Sequence, residues 1–239
     1  MSSLILIPGL ACDAEIFGDL RAALPARPAG LAVHTTDVGQ RADSLPEMAR
    51  LLLAECPGPL VLAGHSMGAM VAMHAALQAP ERVRALALLA TTAQADPPEM
   101  VALRTEACAR FAAGEIDAVL QANVPFAFHP ANVGDEALVQ RYMAIVQRAG
   151  AARLIRQNQA VMIRPDLRPR LRAIGCPVLV VCGVGDGLTP PEHSHEIVAA
   201  LPRAEAVVLP QCGHMLTLEQ PAVVARLLGD WLARLPRPA

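Results

Sequence analysis

The chain contains 239 residues, which suits a single domain, and 54% of them are hydrophobic while 18% are charged; this balance excludes a disordered chain. The formal net charge of −2 offers no general attraction for nucleic acid or for an anionic membrane surface. Every one of the 20 basic residues is an arginine, so phosphate binding by a P-loop lysine and Schiff-base chemistry are excluded as well.

In chain order, short apolar segments alternate with longer helical patterns, which is typical of βαβ units around a parallel sheet. Strands are predicted over residues 4–8, 31–35, 60–63, 85–90, 178–182 and 206–209. Helices are predicted over residues 15–24, 45–55, 67–78, 193–201 and 221–235. The alternation therefore indicates an α/β fold with helices on both faces of one sheet.

The alternation stops between residues 92 and 165. Helical patterns occur there at residues 100–113, 116–122 and 136–146, and none of the apolar runs is a convincing strand. We interpret residues 92–165 as a helical cap, inserted between two parts of one core domain, residues 1–91 and 166–239.

The six cysteines do not suggest a disulfide framework. No two of them have the CxxC spacing, and several lie in or beside apolar segments, as expected of reduced and mostly buried thiols. They are Cys12, Cys56, Cys108, Cys176, Cys182 and Cys212.

No apolar run approaches the roughly 18 residues of a membrane span, so we expect a soluble, cytoplasmic protein.

The strongest local motif is Gly64-His65-Ser66-Met67-Gly68, which follows a predicted strand and opens a predicted helix. A serine on such a sharp turn has a strained backbone. Glycines two residues to either side let adjacent segments of the backbone approach closely. The amide of Met67 and the helix N-terminus face any negative charge that forms nearby. The motif predicts that Ser66 is a nucleophile rather than a simple helix cap, and that His65 has a supporting role.

A nucleophilic serine needs a base, and the base needs a third group that holds its tautomer. At a turn of this kind the partners follow along the chain in the order acid, then histidine. Asp186 follows the predicted strand at 178–182, and His214 follows the predicted strand at 206–209. The carboxyl ends of parallel strands meet at one edge of the sheet, where such folds bind ligands. We therefore expect Ser66, Asp186 and His214 to lie together.

Other acidic and basic residues are weaker candidates for this site. Asp166 precedes its strand, and Glu219 is expected to open the last helix, where helix-end electrostatics account for a carboxylate. Four arginines could bind a substrate carboxylate, but a solvated helical face is the preferred interpretation; they are Arg164, Arg168, Arg170 and Arg172.

The chain resembles the α/β-hydrolase superfamily, in its small helical-capped esterase, lactonase and C–C hydrolase branch. The matching segments are LILIPGL at 4–10, GHSMG at 64–68, VLVVCGVGDGLTP at 178–190 and QCGHMLTLEQP at 211–221. The resemblance spans essentially the whole chain except the cap. It implies that Ser66, Asp186 and His214 form a catalytic triad, and that the backbone amides of Met67 and Leu10 form the oxyanion hole.

Two departures from the family pattern modify this expectation. The family often has His-Gly after its first central strand, whereas this chain has Pro8-Gly9, so the turn remains but the contact of that histidine does not. The chain also begins directly at that strand, without the usual N-terminal hairpin. We therefore expect an α/β-hydrolase fold with an abbreviated, mostly parallel sheet of about six strands and an inserted helical cap.

An apolar substrate pocket is expected between the nucleophile and the cap. Its predicted lining residues are Met70, Phe126, Phe128, His129 and Met215. For His129, a structural histidine with its hydrogen bonds satisfied inside the cap is the alternative interpretation.

These residues together predict a serine hydrolase that cleaves a small carboxylic ester or lactone through an acyl-enzyme intermediate. The same triad also fits a cofactor-free C–C bond hydrolase, a thioesterase or acyltransferase, or a perhydrolase. A non-catalytic ligand-binding member of the fold is a further alternative. We expect no cofactor and no metal, because no zinc-binding pattern is present. The expected partner is a small-molecule substrate, with neither nucleic acid nor membrane, and the chain is expected to be a monomer or homodimer.

Overall fold

The computed structural model describes residues 3–24 and 31–236, whose strands form one six-stranded parallel sheet. The strand order is β2-β1-β3-β4-β5-β6. The strands are β1 (Ser3–Ile7), β2 (Ala32–Thr35), β3 (Leu60–His65), β4 (Val83–Leu89), β5 (Val178–Gly183) and β6 (Ala204–Leu209). Every residue of β3 and β5 is buried, because helices cover both faces of a parallel sheet. The predicted parallel α/β sheet of about six strands is therefore confirmed.

Helices surround the sheet, and four of them lie within the predicted cap, residues 92–165, which we call the cap segment. In chain order the helices are α1 (Gly18–Ala23), α2 (Leu45–Glu55), α3 (Met67–Gln78), α4 (Pro98–Ala112), α5 (Ile116–Ala127), α6 (Glu136–Gln147), α7 (Gly150–Met162), α8 (Pro191–Ala200), α9 (Leu216–Glu219) and α10 (Pro221–Arg234). Within residues 3–24 and 31–236, no helix has both the length and the hydropathy needed to cross a bilayer.

Two hydrophobic cores lie on opposite faces of the sheet, and the two-residue period of the strands divides them. Leu4 and Leu6 of β1 join the core that includes α1, α10 and much of the cap segment. Ile5 and Ile7 point the other way, into the core formed with α2, α3 and α8. The two cores together bury both faces of the central strands β3 and β5.

The helix α7 is the main element that the hydrophobic pattern does not predict. It begins at Gly150 and buries two polar side chains, Gln157 and Asn158, together with Leu154 and Val161. Polar residues on the buried face break the apolar periodicity on which such a prediction depends. The helix can bury these side chains because both are hydrogen-bonded to groups elsewhere in the fold.

A buried ion-pair network closes the base of the cap segment and corrects the interpretation of Arg164 as part of a solvated face. Arg164 is only 8% exposed, and its guanidinium lies 2.7 Å from the carboxylate of Asp96. Arg104 binds the other oxygen of that carboxylate at 2.8 Å and also donates to Asn158. The sequence does not reveal this pairing, because Asp96 and Arg164 lie at opposite ends of the cap segment.

Acidification should destabilise the fold partly through His74 on α3. His74 is buried, its Nε2 has no hydrogen-bond partner, and burial, with Arg170 nearby, lowers its pKa to about 4. The unfolded chain therefore takes up a proton at this residue below about pH 6.5, whereas the folded chain resists protonation until about pH 4. The contribution of neutral, buried His74 to the free energy of unfolding is therefore complete above pH 6.5. Between pH 6.5 and pH 4 the free energy of unfolding falls by up to about 1.4 kcal/mol for each pH unit.

We expect His74→Leu to reduce this loss of stability between pH 6.5 and pH 4. Urea unfolding of the wild type and the variant at several pH values measures the difference. His195→Leu is the matched control for the change from histidine to leucine, because His195 is exposed on α8. An identical pH dependence in His74→Leu and the wild type would contradict the assignment.

Candidate active site

Ser66 lies on a strained turn between β3 and α3, as the motif predicts. Its backbone angles are φ 53° and ψ −116°, an unfavourable region for a residue with a side chain. The surrounding structure holds this conformation through the Ser66 amide, which donates to the carbonyl of Leu89 at 2.8 Å. The hydroxyl of Thr91 donates to the carbonyl of Ser66 at 2.9 Å. Thr91, which sequence reasoning did not identify, thus supports the turn.

The glycines on either side of Ser66 allow the backbone segments at this turn to approach closely. A Cβ atom at Gly64 would lie 2.3 Å from the carbonyl of Gly68 and the amide of Ala69. A Cβ atom at Gly68 would lie 2.0 Å from the carbonyl oxygen of Ile7. Both distances are shorter than any real contact, so the two positions require glycine.

We expect Gly68→Ala to lower the free energy of unfolding by about 1–3 kcal/mol or more, because the methyl group must displace the backbone of β1. The displacement also moves the turn that carries Ser66, so activity should fall in the folded fraction. Gly134→Ala is the matched control, since a Cβ atom there meets nothing within 4 Å. Urea unfolding of both variants tests the prediction, and equal stabilities would contradict it.

Asp186 and His214 meet at the carboxyl edge of the sheet. Asp186 follows β5 and His214 follows β6, and both are buried. The Nδ1 atom of His214 lies 2.9 Å from Oδ2 and 3.1 Å from Oδ1 of Asp186. A carboxylate in this position fixes the orientation of the imidazole and leaves Nε2 free for another partner.

The loop residues that follow Asp186 hold its carboxylate in the ionised form. The amides of Leu188 and Thr189 donate to Oδ1, and the hydroxyl of Thr189 donates to Oδ2 at 2.8 Å. Burial alone would raise the pKa of Asp186, but His214 and the hydrogen bonds from Thr189 outweigh it and hold the pKa below its usual value. Thr189, a second residue that sequence reasoning missed, stabilises the charge that faces His214.

His65 links the Ser66 turn to the loop that carries His214. Its Nε2 donates to the carbonyl of His214 at 2.9 Å, and the two imidazole rings lie 5.2 Å apart. Burial and the nearby His214 lower the pKa of His65 to about 4, so it is neutral at neutral pH. The hydroxyl of Ser66 itself makes no hydrogen bond to His214 in this structure, so that contact stays a prediction.

The turn after β1 carries the second amide of the predicted oxyanion hole. In the part of the chain that the structure describes, neither the Leu10 amide nor the Met67 amide donates to another protein group. The next amide, that of Ala11, donates to the side chain of Gln157 at 2.6 Å, and Gln157 in turn donates to the carbonyl of Gly39. Gln157 of α7 therefore holds this turn in position, a role that the sequence does not signal.

The predicted pocket residues occupy different environments. Met70 is buried on α3, near the Ser66 turn, and Met215 is buried directly after His214. Phe128 has no exposed surface and packs edge-on against Tyr142, with ring centroids 5.4 Å apart. Phe128 belongs to the hydrophobic core that includes α1 and α10, and its predicted place in the pocket stays a prediction. Phe126 is instead 54% exposed, so a role for it at the pocket remains a prediction.

The rival acidic residues lie away from the Asp186–His214 pair or have other partners. Asp166 forms a surface ion pair with Arg168. Glu219 does not open the last helix, as the sequence pattern suggested; it ends the short helix α9, and α10 begins at Pro221. Its carboxylate is bound by three hydrogen-bond donors, among them the amide of Gly213, and not by a helix N-terminus.

Comparisons with known proteins identify the family. The profile of the alpha/beta hydrolase family matches residues 4–227, so the chain belongs to that family. A pimeloyl-[acyl-carrier protein] methyl ester esterase from Nitrosomonas europaea is 32% identical over 188 residues, which cover 75% of this chain and 73% of that protein. The family and its relatives support a hydrolase and, broadly, the hydrolysis of esters.

Solved structures share the fold along nearly the whole chain. A thermophilic esterase from Thermogutta terrifontis aligns with a TM-score of 0.86 at 23% identity, covering 98% of this chain and 90% of that one. The enol-lactonase from Burkholderia xenovorans also aligns with a TM-score of 0.86, at 20% identity, covering 98% and 92% of the two chains. At these identities the structures show a common fold, and the predicted α/β-hydrolase fold is confirmed.

Proposed function

We propose that the protein hydrolyses a small carboxylic ester or lactone through an acyl-enzyme intermediate formed on Ser66. His214 acts as the general base, Asp186 orients it, and the amides of Met67 and Leu10 bind the oxyanion. The observation that carries the proposal is the 2.9 Å contact between His214 and the ionised Asp186, at the edge of the sheet where Ser66 occupies its strained turn.

In this mechanism His214 removes the proton of the Ser66 hydroxyl as its oxygen attacks the substrate carbonyl carbon. The carbonyl oxygen becomes an oxyanion, and preorganised backbone amides stabilise it without a reorganisation of solvent. His214 then protonates the leaving alcohol, which departs and leaves an ester on Ser66. A water molecule, deprotonated by His214, attacks this ester and releases the acid. Throughout the cycle Asp186 stays ionised and stabilises the imidazolium.

The relatives support the ester as the substrate class. The protein from Nitrosomonas europaea is a methyl ester esterase, and the Burkholderia xenovorans structure is an enol-lactonase. Esters and lactones share a carbonyl flanked by an oxygen leaving group, so the same serine mechanism serves both. The difference between them is only whether the leaving alcohol stays attached to the acid.

The test is the release of p-nitrophenol from a series of esters whose acyl chains run from short to long, followed by mass spectrometry of the quenched enzyme. We expect turnover, and a mass increase equal to the acyl group on the peptide that contains Ser66. The dependence on chain length measures the size of the acyl pocket. Turnover without an adduct on Ser66, or no turnover of any ester or lactone by the folded protein, would contradict the proposal.

A further inference from the structure

We propose that Glu219 is a positioning residue that ties the cap segment to the loop carrying His214. This inference rests on the proposed function, since it concerns how the base of that reaction is held in place. It assigns to the cap segment a part in the geometry of the catalytic residues, in addition to any part in enclosing substrate.

The carboxylate of Glu219 has hydrogen bonds on both sides. Its Oε1 accepts from the amide of Gly213 at 2.9 Å, and Gly213 directly precedes His214. Its Oε2 accepts from the amide of His129 at 3.0 Å and from the side chain of Asn132 at 2.7 Å. His129 and Asn132 belong to the cap segment, so one carboxylate bridges the cap and the loop.

The same stretch of the cap segment touches both loops that carry catalytic residues. We call residues 126–132 the strap. The carbonyl of Phe126 accepts from Gly187, next to Asp186, at 3.0 Å. The carbonyl of Ala127 accepts from Met215, next to His214, at 3.1 Å. The strap thus joins the backbones on either side of the Asp186–His214 pair.

Close packing strengthens this connection. A Cβ atom at Gly185 would lie 2.6 Å from the ring of His129, and one at Gly213 would lie 2.5 Å from the amide of His129. Both loops therefore approach the same residue of the strap through a glycine. The Nδ1 atom of His129 also accepts from the amide of Ala131 at 3.1 Å, as in a structural histidine, and its predicted place in the pocket stays a prediction.

Glu219 is the charged member of this arrangement, and hydrogen bonds to a carboxylate are roughly twice as strong as neutral ones. Its loss leaves the amides of Gly213 and His129 without their shared acceptor, while the strap keeps its backbone hydrogen bonds to Gly187 and Met215. The imidazole of His214 then moves with its backbone, and a displacement of about 1 Å at a reacting group can reduce catalysis by on the order of 10²-fold. Substrate binding is less affected, because the backbone hydrogen bonds from Gly187 and Met215 still hold Phe126 and Ala127 in place.

The substitution Glu219→Gln separates these effects with little change in shape. A glutamine has one acceptor oxygen, so its NH₂ group must face either the Gly213 amide or the two donors of the strap. One side of the bridge is therefore lost. We expect kcat for a p-nitrophenyl ester to fall by roughly tenfold to 10²-fold while KM stays within about twofold.

The rate at which a fluorophosphonate labels Ser66 should fall by a similar factor, because labelling depends on the base and not on the choice of ester. The matched control is Glu205→Gln on β6, which removes an exposed ion pair with Arg234 of α10 and should leave both rates unchanged. If Glu219→Gln does not fold, Asn132→Ala replaces it as the test variant, since it removes one donor of the strap and leaves the Gly213 contact in place. Asn132→Ala should lower the same rates by a smaller factor.

The outcomes distinguish this inference from the proposed function. A wild-type protein that neither hydrolyses esters nor reacts with the fluorophosphonate contradicts the proposed function. Hydrogen exchange then still tests the bridge: faster exchange of the Gly213 amide or the His129 amide, whichever faces the NH₂ group in Glu219→Gln, supports it, and unchanged exchange of both amides contradicts it. When the wild type is active, a kcat and a labelling rate within twofold of wild type in the folded variant overturn the inference, even if the variant is less stable.

Discussion

Ser66→Ala should reduce kcat for ester hydrolysis by on the order of 10⁶-fold, the scale seen when a serine hydrolase loses its nucleophile. The alanine has no oxygen to form the acyl-enzyme, and the oxyanion amides alone provide only a small residual rate. The substitution should leave the fold intact, because the contacts that hold the turn come from backbone atoms of Ser66 and from the hydroxyl of Thr91. Steady-state kinetics, together with mass spectrometry for the loss of the acyl adduct, measures the effect.

Ser44→Ala is the matched control for this variant. Ser44 caps the N-terminus of α2, where its hydroxyl accepts from the amide of Glu47. The alanine should lower the free energy of unfolding by about 1 kcal/mol and leave kcat unchanged. Full turnover by Ser66→Ala, or an equal loss of activity in Ser44→Ala, would show that the nucleophile is wrongly assigned.

Asp186→Asn should lower kcat by about 10⁴-fold, as when the acid of a serine–histidine–acid triad is replaced by its amide. The structure explains the expected size of the effect. The amides of Leu188 and Thr189 both donate to Oδ1, so the asparagine keeps its oxygen on that side and turns its NH₂ group toward Nδ1 of His214. Nδ1 must then accept a hydrogen bond, and the proton moves to Nε2, which can no longer act as a base toward Ser66.

The control is Asp166→Asn, which alters an exposed carboxylate paired with Arg168 and should leave kcat within about twofold of wild type. Kinetics of both variants at neutral pH, with fluorophosphonate labelling as a second measure of Ser66 reactivity, tests the pair. A loss of activity in Asp166→Asn that equals the loss in Asp186→Asn would contradict the assignment of the acid. So would near-normal labelling of Ser66 in Asp186→Asn.

The sequence predicts the elements of the sheet well because their signals are local. The helices α2 and α3 have the predicted bounds, and β3 and β5 extend only slightly beyond theirs. Their apolar residues recur with the period of a helix or form short continuous runs, so a window of about ten residues contains the information. The cap segment is harder, since α5 continues to Ala127 past an internal proline at Pro125 and α7 carries polar residues on its buried side.

In the candidate site, too, local sequence signals predict some residues, whereas others depend on contacts between distant parts of the chain. The places of Ser66, Asp186 and His214 follow from the motif and from the ends of consecutive strands, and the structure brings Asp186 and His214 into direct contact. The support of the site is nonlocal: Gln157 holds the turn at Ala11 from 146 residues away, and Glu219 binds His129 across 90 residues.

The sequence by itself therefore determined the parallel α/β core, the strained turn at Ser66 and the order of the acid and the histidine. These features depend on backbone conformation and on short-range hydrophobic periodicity, which neighbouring residues specify. The tertiary structure alone decided that Arg164 pairs with Asp96 inside the base of the cap, that Phe128 enters the core, and that Glu219 bridges the strap to the loop of His214. A polar side chain has a specific partner only after folding places that partner within hydrogen-bonding distance, and burial then makes the pairing necessary.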